Sequence, residues 1–412
     1  MIFLFFCIAS KALTISPDSI YWDNVASVNF YHSGSLVSDP MIELNSDDEL
    51  ILEFDILGTD DPYLQYALIH CDYNWQKSEL SQMEYLESFA EAAIYDVAYS
   101  MNTNQAYVNY SITLPSTEVR PTRSGNYILV IYEDNIDEPV LTRKLYVYES
   151  LVSVDAYFSK ATKFEDIMTR QELNFSIHHP TYRISNSSKL NVVIKQNGRE
   201  DNKIVNPKPI SILSSSISYE GGGNIVFDGG GEFRSFDIKS LRYRLDGVSH
   251  ISTQSRNEYV AILHSDQSRR NLAYESKPDI NGRYVIKTED WDDQMQAEYV
   301  RVNFHLKTTG PVIGGDIYIF GELTDWKYLP KAKMKEMDKY GEYVCSMVLK
   351  QGYYNYHYMF LPHGTNIGDV SQIEGNYWET ENDYTIFIYY REDGDISDKL
   401  ISIKKLKSTQ RR

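Results

Sequence analysis

The 412-residue chain is long enough for two or three domains, and its 40 Lys and Arg against 58 Asp and Glu leave a net charge of −18. That charge repels a phosphate backbone wherever no basic patch intervenes, which excludes general nucleic-acid binding. With 42% hydrophobic and 24% charged residues, and no apolar run beyond the first few positions near the roughly 20 residues that span a bilayer, a disordered chain and a polytopic helical membrane protein are also excluded. The 34 Tyr and 16 Phe favour half-buried pleated surfaces, where an apolar ring packs while the phenol stays wet, and point to a β-rich protein.

The run Ile2 to Ala9 is apolar and leads into small residues at Ala9, Ser10 and Ala12, the pattern of a secretory signal peptide over residues 1–12 that lacks its charged beginning. Export is therefore expected. Cys7 leaves with that segment, because Leu4, Phe5 and Phe6 put bulky side chains where a lipidated cysteine needs small ones. Cys71 and Cys345 remain, fall in different expected domains and read as two buried thiols.

An N-terminal β-sandwich is expected over residues 13–149. Leu50 to Leu57 alternates apolar with polar and predicts a strand, with Tyr66 to His70 as its partner. Leu80, Met83, Leu86, Ala90, Ala93 and Ile94 recur at helical spacing and predict one short helix on the sandwich edge. A hairpin of Tyr127 to Tyr132 and Leu141 to Tyr148 closes this domain. A middle β-rich domain is expected over 150–297, with strands at Leu173 to Ile177 and Leu190 to Gln196. In it Gly221, Gly222 and Gly223 precede, and Gly229, Gly230 and Gly231 follow, a short apolar segment. Glycine there allows sharp bends or close backbone approach.

The C-terminal domain, expected over 298–405, opens with Val300, Val302, Phe304 and Leu306 alternating with polar residues, followed by five more short strands. Short strands between Gly, Asn and Asp turns, without alternating helices, predict a β-sandwich instead of a parallel α/β sheet. Residues 406–412 form a basic tail, read as solvated, with contact to an acidic surface or anionic headgroups as the alternative.

Searches for chemistry return little. No Gly-x-x-x-x-Gly-Lys-Ser/Thr loop, Gly-x-Ser-x-Gly elbow or His-Glu-x-x-His motif occurs. His70-Cys71-Asp72 and His178-His179 carry ligand atoms, but neighbours on a strand point to opposite faces and do not close on one metal. Asp316, Glu322 and Asp325 do not become an acid and a base without measured separations. No cofactor and no metal is expected.

Gly315 to Trp326, then Gly341-Glu342-Tyr343 and Gly352-Tyr353-Tyr354-Asn355-Tyr356, resembles early-set immunoglobulin-like domains related to glycogen-binding modules. In sugar binders of that kind exposed aromatics stack on pyranose faces, which makes Trp326, Tyr328 and Tyr353 the residues of an alternative carbohydrate-binding reading. Closing the end of the sandwich core is the more common task of such a Trp.

Several strings together resemble a sharper family. Tyr73-Asn74-Trp75-Gln76, Ser124-Gly125-Asn126-Tyr127, His179-Pro180-Thr181-Tyr182-Arg183-Ile184, Gln196-Asn197-Gly198-Arg199, Gly231-Glu232-Phe233-Arg234, Phe236 to Arg242 and Glu374 to Tyr384 are similar, in order, to the plug protein of the Bacteroidota type IX secretion system. Gly230 and Ser235 depart from that pattern, where the family usually has Asn and an aromatic. The expected fold is mainly β, three consecutive immunoglobulin-like or early-set-like β-sandwiches with at most a few short helices, and the resemblance implies no enzyme activity. It further implies a periplasmic protein, held at the outer membrane by binding the mouth of a large β-barrel translocon and sealing it when no substrate passes. Phe233, Arg234, Phe236 and Arg242 are the expected partner-binding residues, either facing the partner or forming the strand that shapes the partner-facing edge.

Overall fold

The computed structural model describes residues 15–253, 258–337 and 341–411; the expected signal peptide lies outside them. The described chain is mainly β, with two four-residue α-helices, Gln82–Tyr85 and Ser371–Glu374, among the described residues. No helix in it is long and apolar enough to cross a membrane. Among the described residues three sandwiches account for six sheets.

In the first sandwich one sheet has the order Val25–His32, Leu50–Leu57, Tyr107–Leu114, Asp96–Tyr99. The other runs Ser19–Ile20, Pro139–Tyr148, Gly125–Tyr132, Gln65–Cys71, Glu91–Ala93. Leu52, Phe54, Leu68, Tyr110, Leu129 and Leu145 meet between them. Gln65–Cys71 is thus not the hydrogen-bonded partner of Leu50–Leu57 but faces it across the core. Both strands alternate toward the same apolar layer, and alternation alone does not say whether two strands pair or stack. The expected hairpin is present, with Leu145 opposite Tyr127 and Thr142 opposite Val130. All eight residues of Gly125–Tyr132 are buried, because a second apolar cluster around Ile69, Cys71, Ile128 and Val130 covers its outer face. The helical spacing after Ser78 yields only Gln82–Tyr85, capped by Ser81 and Glu84; beyond it the chain serves as edge strand.

The second sandwich faces Ser153–Lys160 and Arg170–His178 against Leu190–Gln196, Asp383–Tyr390 and Lys399–Lys407. The third faces Arg234–Asp237, Gly352–Pro362, Tyr284–Ile286 and Gly315–Phe320 against Val248–Thr253, Tyr259–Leu263, Tyr299–Lys307 and Glu342–Lys350. Sheets therefore join residues on both sides of the boundary expected at 297/298, and residues 383–407 share a sheet with Leu190–Gln196. Residues 406–411 of the expected basic tail are built into this body. Phe158 donates its N–H to Gln410 O at 2.9 Å, and the Arg411 guanidinium lies 4.3 Å from the Trp378 ring. Cys71 and Cys345 are free and buried; burial pushes their thiols up to about 12 and about 11, so both stay protonated.

Candidate partner interface

The glycine-bracketed segment is shaped by close backbone approach. A Cβ on Gly229 would stand 2.0 Å from Tyr377 O, and one on Gly231 would stand 2.6 Å from Glu374 O. Only glycine lets the two backbones meet so closely. The chain then enters Arg234–Asp237, antiparallel to Gly352–Pro362 with Arg234 opposite Tyr356.

Three of the four expected partner residues lie inside this arrangement. Phe233 stacks on His357 at 3.7 Å and meets the Trp326 ring edge-on. Phe236 is fully buried against Phe304, Tyr354 and Tyr356. Arg234 is buried, with Nε 2.9 and 3.0 Å from the two Glu374 carboxylate oxygens and Nη1 2.6 Å from Asp266. The fourth, Arg242, is on the surface. Its guanidinium covers the half-exposed Trp291 ring at 4.8 Å, beside exposed Tyr243.

The proposed sugar platform is placed differently from an exposed stacking surface. Asp325 and Trp326 both adopt left-handed backbone, at φ 51° and 55°, a strained turn for two side-chain-bearing residues. That turn sends the half-buried Trp326 ring among Phe233, Phe320, Gly198 and Gly282. Tyr328 stacks on Phe320 at 5.0 Å and donates to Asp201, while Tyr353 sits half-buried opposite Asp237. Asp325 instead accepts from Arg143 Nη2 at 3.1 Å, and Glu322 is drawn to Arg283, so neither is left as a free acid or base.

Charged clamps that sequence reading did not single out join the sandwiches. Lys144 Nζ lies 2.7 Å from Glu200, and Arg283 Nη2 lies 2.6 Å from Asp39. Lys195 and Lys203 also face Glu200, and these cations hold its carboxyl well below the usual range despite burial. At a second junction Lys350 Nζ is 2.6 Å from Asp55, with the Tyr107 ring 3.8 Å from the same ammonium. A sequence signal existed for the first clamp, because Arg143-Lys144 interrupts a mostly apolar strand that is buried from Pro139 to Val147. For Asp55 and Lys350 there was none, since each sits in an alternating strand where a charge reads as the wet face.

Burial also makes this body acid-sensitive. Desolvation lowers His70 and His357 to about 4, so both are neutral in the fold and bind protons more readily once unfolded. Their contribution is full above pH 6.5 and is lost as pH falls toward 4. Asp279, pushed up to about 6 by burial, acts oppositely and adds stability as pH falls through 6. His357→Gln is expected to lower the pH slope of stability near pH 5 by about one proton, or ~1.4 kcal/mol per pH unit. Urea titrations at several pH values measure it, and an unchanged slope contradicts the assignment.

Comparison with known proteins follows the same outline. A family model for the type 9 secretion system plug protein 1st domain matches residues 25–149, the span of the first sandwich. The crystal structure of a hypothetical protein from Parabacteroides merdae ATCC 43184 is 32% identical, covers 95% of this chain and 99% of its own, and superimposes with a TM-score of 0.91. No curated protein matches the chain. Since the same sandwiches recur over nearly the whole length of that relative and the first of them carries the plug signature, the chain belongs to the type IX secretion system plug protein family.

Proposed function

We propose that this protein is a non-enzymatic periplasmic plug, which binds the periplasmic mouth of the outer-membrane β-barrel translocon of the type IX secretion system and closes it while no substrate is in transit. The match of its first sandwich to the plug family carries this reading. Its build supports it. A steric stopper has to resist deformation, and ion pairs at two places between the first and third sandwiches, the buried Lys350 with Asp55 and the partly buried Arg283 with Asp39, oppose hinge motion there. Arg242 stacked on Trp291 is the partner-facing element of the expected set, because exposed Arg and Trp are the residue types that most often anchor interfaces. Phe233, Arg234 and Phe236 act from beneath by holding the strand that shapes this edge. A carbohydrate reading loses force because the Trp326 ring is turned inward.

Deleting the gene is expected to sensitise cells to antibiotics too large for ordinary porins, with resistance restored by the wild-type chain. Unchanged permeability would overturn the plug reading. Restoration by Arg242→Glu as complete as by wild type would remove Arg242 from the interface.

A further inference from the structure

Both sheets of the first sandwich end at one rim. Glu91–Ala93 is the last strand of one sheet and Asp96–Tyr99 the last of the other, joined through Ile94 and Tyr95, and among the described residues neither has a second neighbour. Tyr63, Phe89, Tyr95 and Tyr99 are 61%, 65%, 77% and 54% exposed there. They form one neighbourhood: the Tyr95 phenol meets that of Tyr63, Tyr99 donates to Asp61 at 2.6 Å, and the Phe89 N–H donates to Glu118 O at 2.8 Å, on a residue whose carboxylate also acts on the Tyr95 phenol through its charge.

Scattered exposed apolar residues need no explanation, but four large rings at one edge do. Elsewhere Ile210, Ile212 and Leu213 are also exposed, yet branched aliphatics contribute less often to binding hot spots than tyrosine does. Charge at the aromatic rim is predominantly negative. Residues 60–63 and 87–101 contain five acids, Asp60, Asp61, Glu87, Glu91 and Asp96, and no Lys or Arg; Arg120, 3.8 Å from Glu87, is the cation set against them and leaves the acids in excess. Such a charge rejects a second copy of this chain, which would bring five acids against five.

We infer that this rim is a docking surface for a basic, extended segment of the partner, which lies along the free strand edges with its cations facing the acids and its apolar side chains against the tyrosines. The inference rests on the plug reading for the partner's identity, the mouth of the translocon barrel.

The test places a photo-crosslinking phenylalanine analogue at Tyr95 in the full-length chain in cells, with Phe164, 91% exposed on the second sandwich, as the control position. Affinity purification of the tagged chain is run in parallel. The expected result is an adduct to the barrel from position 95, mapped to a peptide of net positive charge, weaker at position 164. Glu91→Lys with Asp96→Lys should weaken co-purification about tenfold or more. If the barrel co-purifies but is captured only from position 164, or through an acidic peptide, the inference fails while the plug reading stands. An adduct to a second copy of the chain also overturns it. If no barrel is recovered in either arm, both readings fall.

Discussion

Replacing Lys350 by Met is expected to destabilise the protein by about 3–5 kcal/mol, the usual consequence of removing one partner from a buried ion pair. Lys350 is the only cation in hydrogen-bond contact with Asp55 among the described residues; Asn109 Nδ2 at 2.8 Å and the Tyr299 hydroxyl at 2.7 Å are its other partners. Both side chains of the pair are nearly sealed from water, at 4% and 1% exposure, so solvent cannot replace the lost ammonium. Met keeps the length of the stem and its contact with the Tyr107 ring, which confines the effect to charge. The double variant Asp55→Asn, Lys350→Met should recover most of the loss, because no charge is then buried alone. Urea unfolding of the four proteins in the cycle measures this. A Lys350→Met cost below about 1 kcal/mol would show that the pair does not hold the first and third sandwiches together.

How much of this was legible beforehand depends on whether the information was local. Tyr299–Lys307 and Leu190–Gln196 match the expected strands because their alternation, or their apolar density, is written in consecutive residues. The placing of Gln65–Cys71 opposite Leu50–Leu57 failed because pairing and stacking give the same pattern. Residues 383–407 join a strand almost two hundred positions earlier, and no local signal records a sheet completed that late in the chain. The burial of Phe233, Arg234 and Phe236 shows the same limit from another side. Strings that resemble a family mark residues the fold needs, and sequence does not separate those that support an edge from those that present it. Arg242 follows Ser240 and Leu241, which both anchor to Asp290, and its own Nε lies 3.8 Å from that carboxylate while the side chain stays exposed.

Arg234→Met gives the second large effect and has a pH signature that separates charge from packing. Arg234 serves two carboxylates, but they are not equally vulnerable. Asp266 is 23% exposed and also accepts from the Tyr356 and Tyr358 hydroxyls, so water and phenols can hold it. Glu374 is 0% exposed, and without Arg234 its hydrogen-bond and ion-pair partners among the described residues are the Tyr358 N–H at 2.9 Å and Arg269 at 3.9 Å. In the wild type, Arg234 holds the Glu374 carboxyl below its usual range against the opposing pull of burial, so its contribution is present above pH 4.5 and lost as pH falls. In the variant burial outweighs the weaker contacts that remain and raises the same group, which makes the buried carboxylate a penalty at pH 7 that protonation relieves. The deficit of Arg234→Met, about 3–5 kcal/mol at pH 7, should therefore narrow as pH approaches 4.5, whereas a packing defect would not titrate. Adding Glu374→Gln to the variant should recover much of the loss at pH 7. Glu374→Gln alone should cost less, since the amide oxygen still accepts from Nε while Nη1 keeps Asp266. A deficit that stays constant between pH 7 and 4.5 would mean that Arg234 stabilises the glycine-bracketed edge by its volume, and that the strand carrying Phe233 and Phe236 is held in place without its charge.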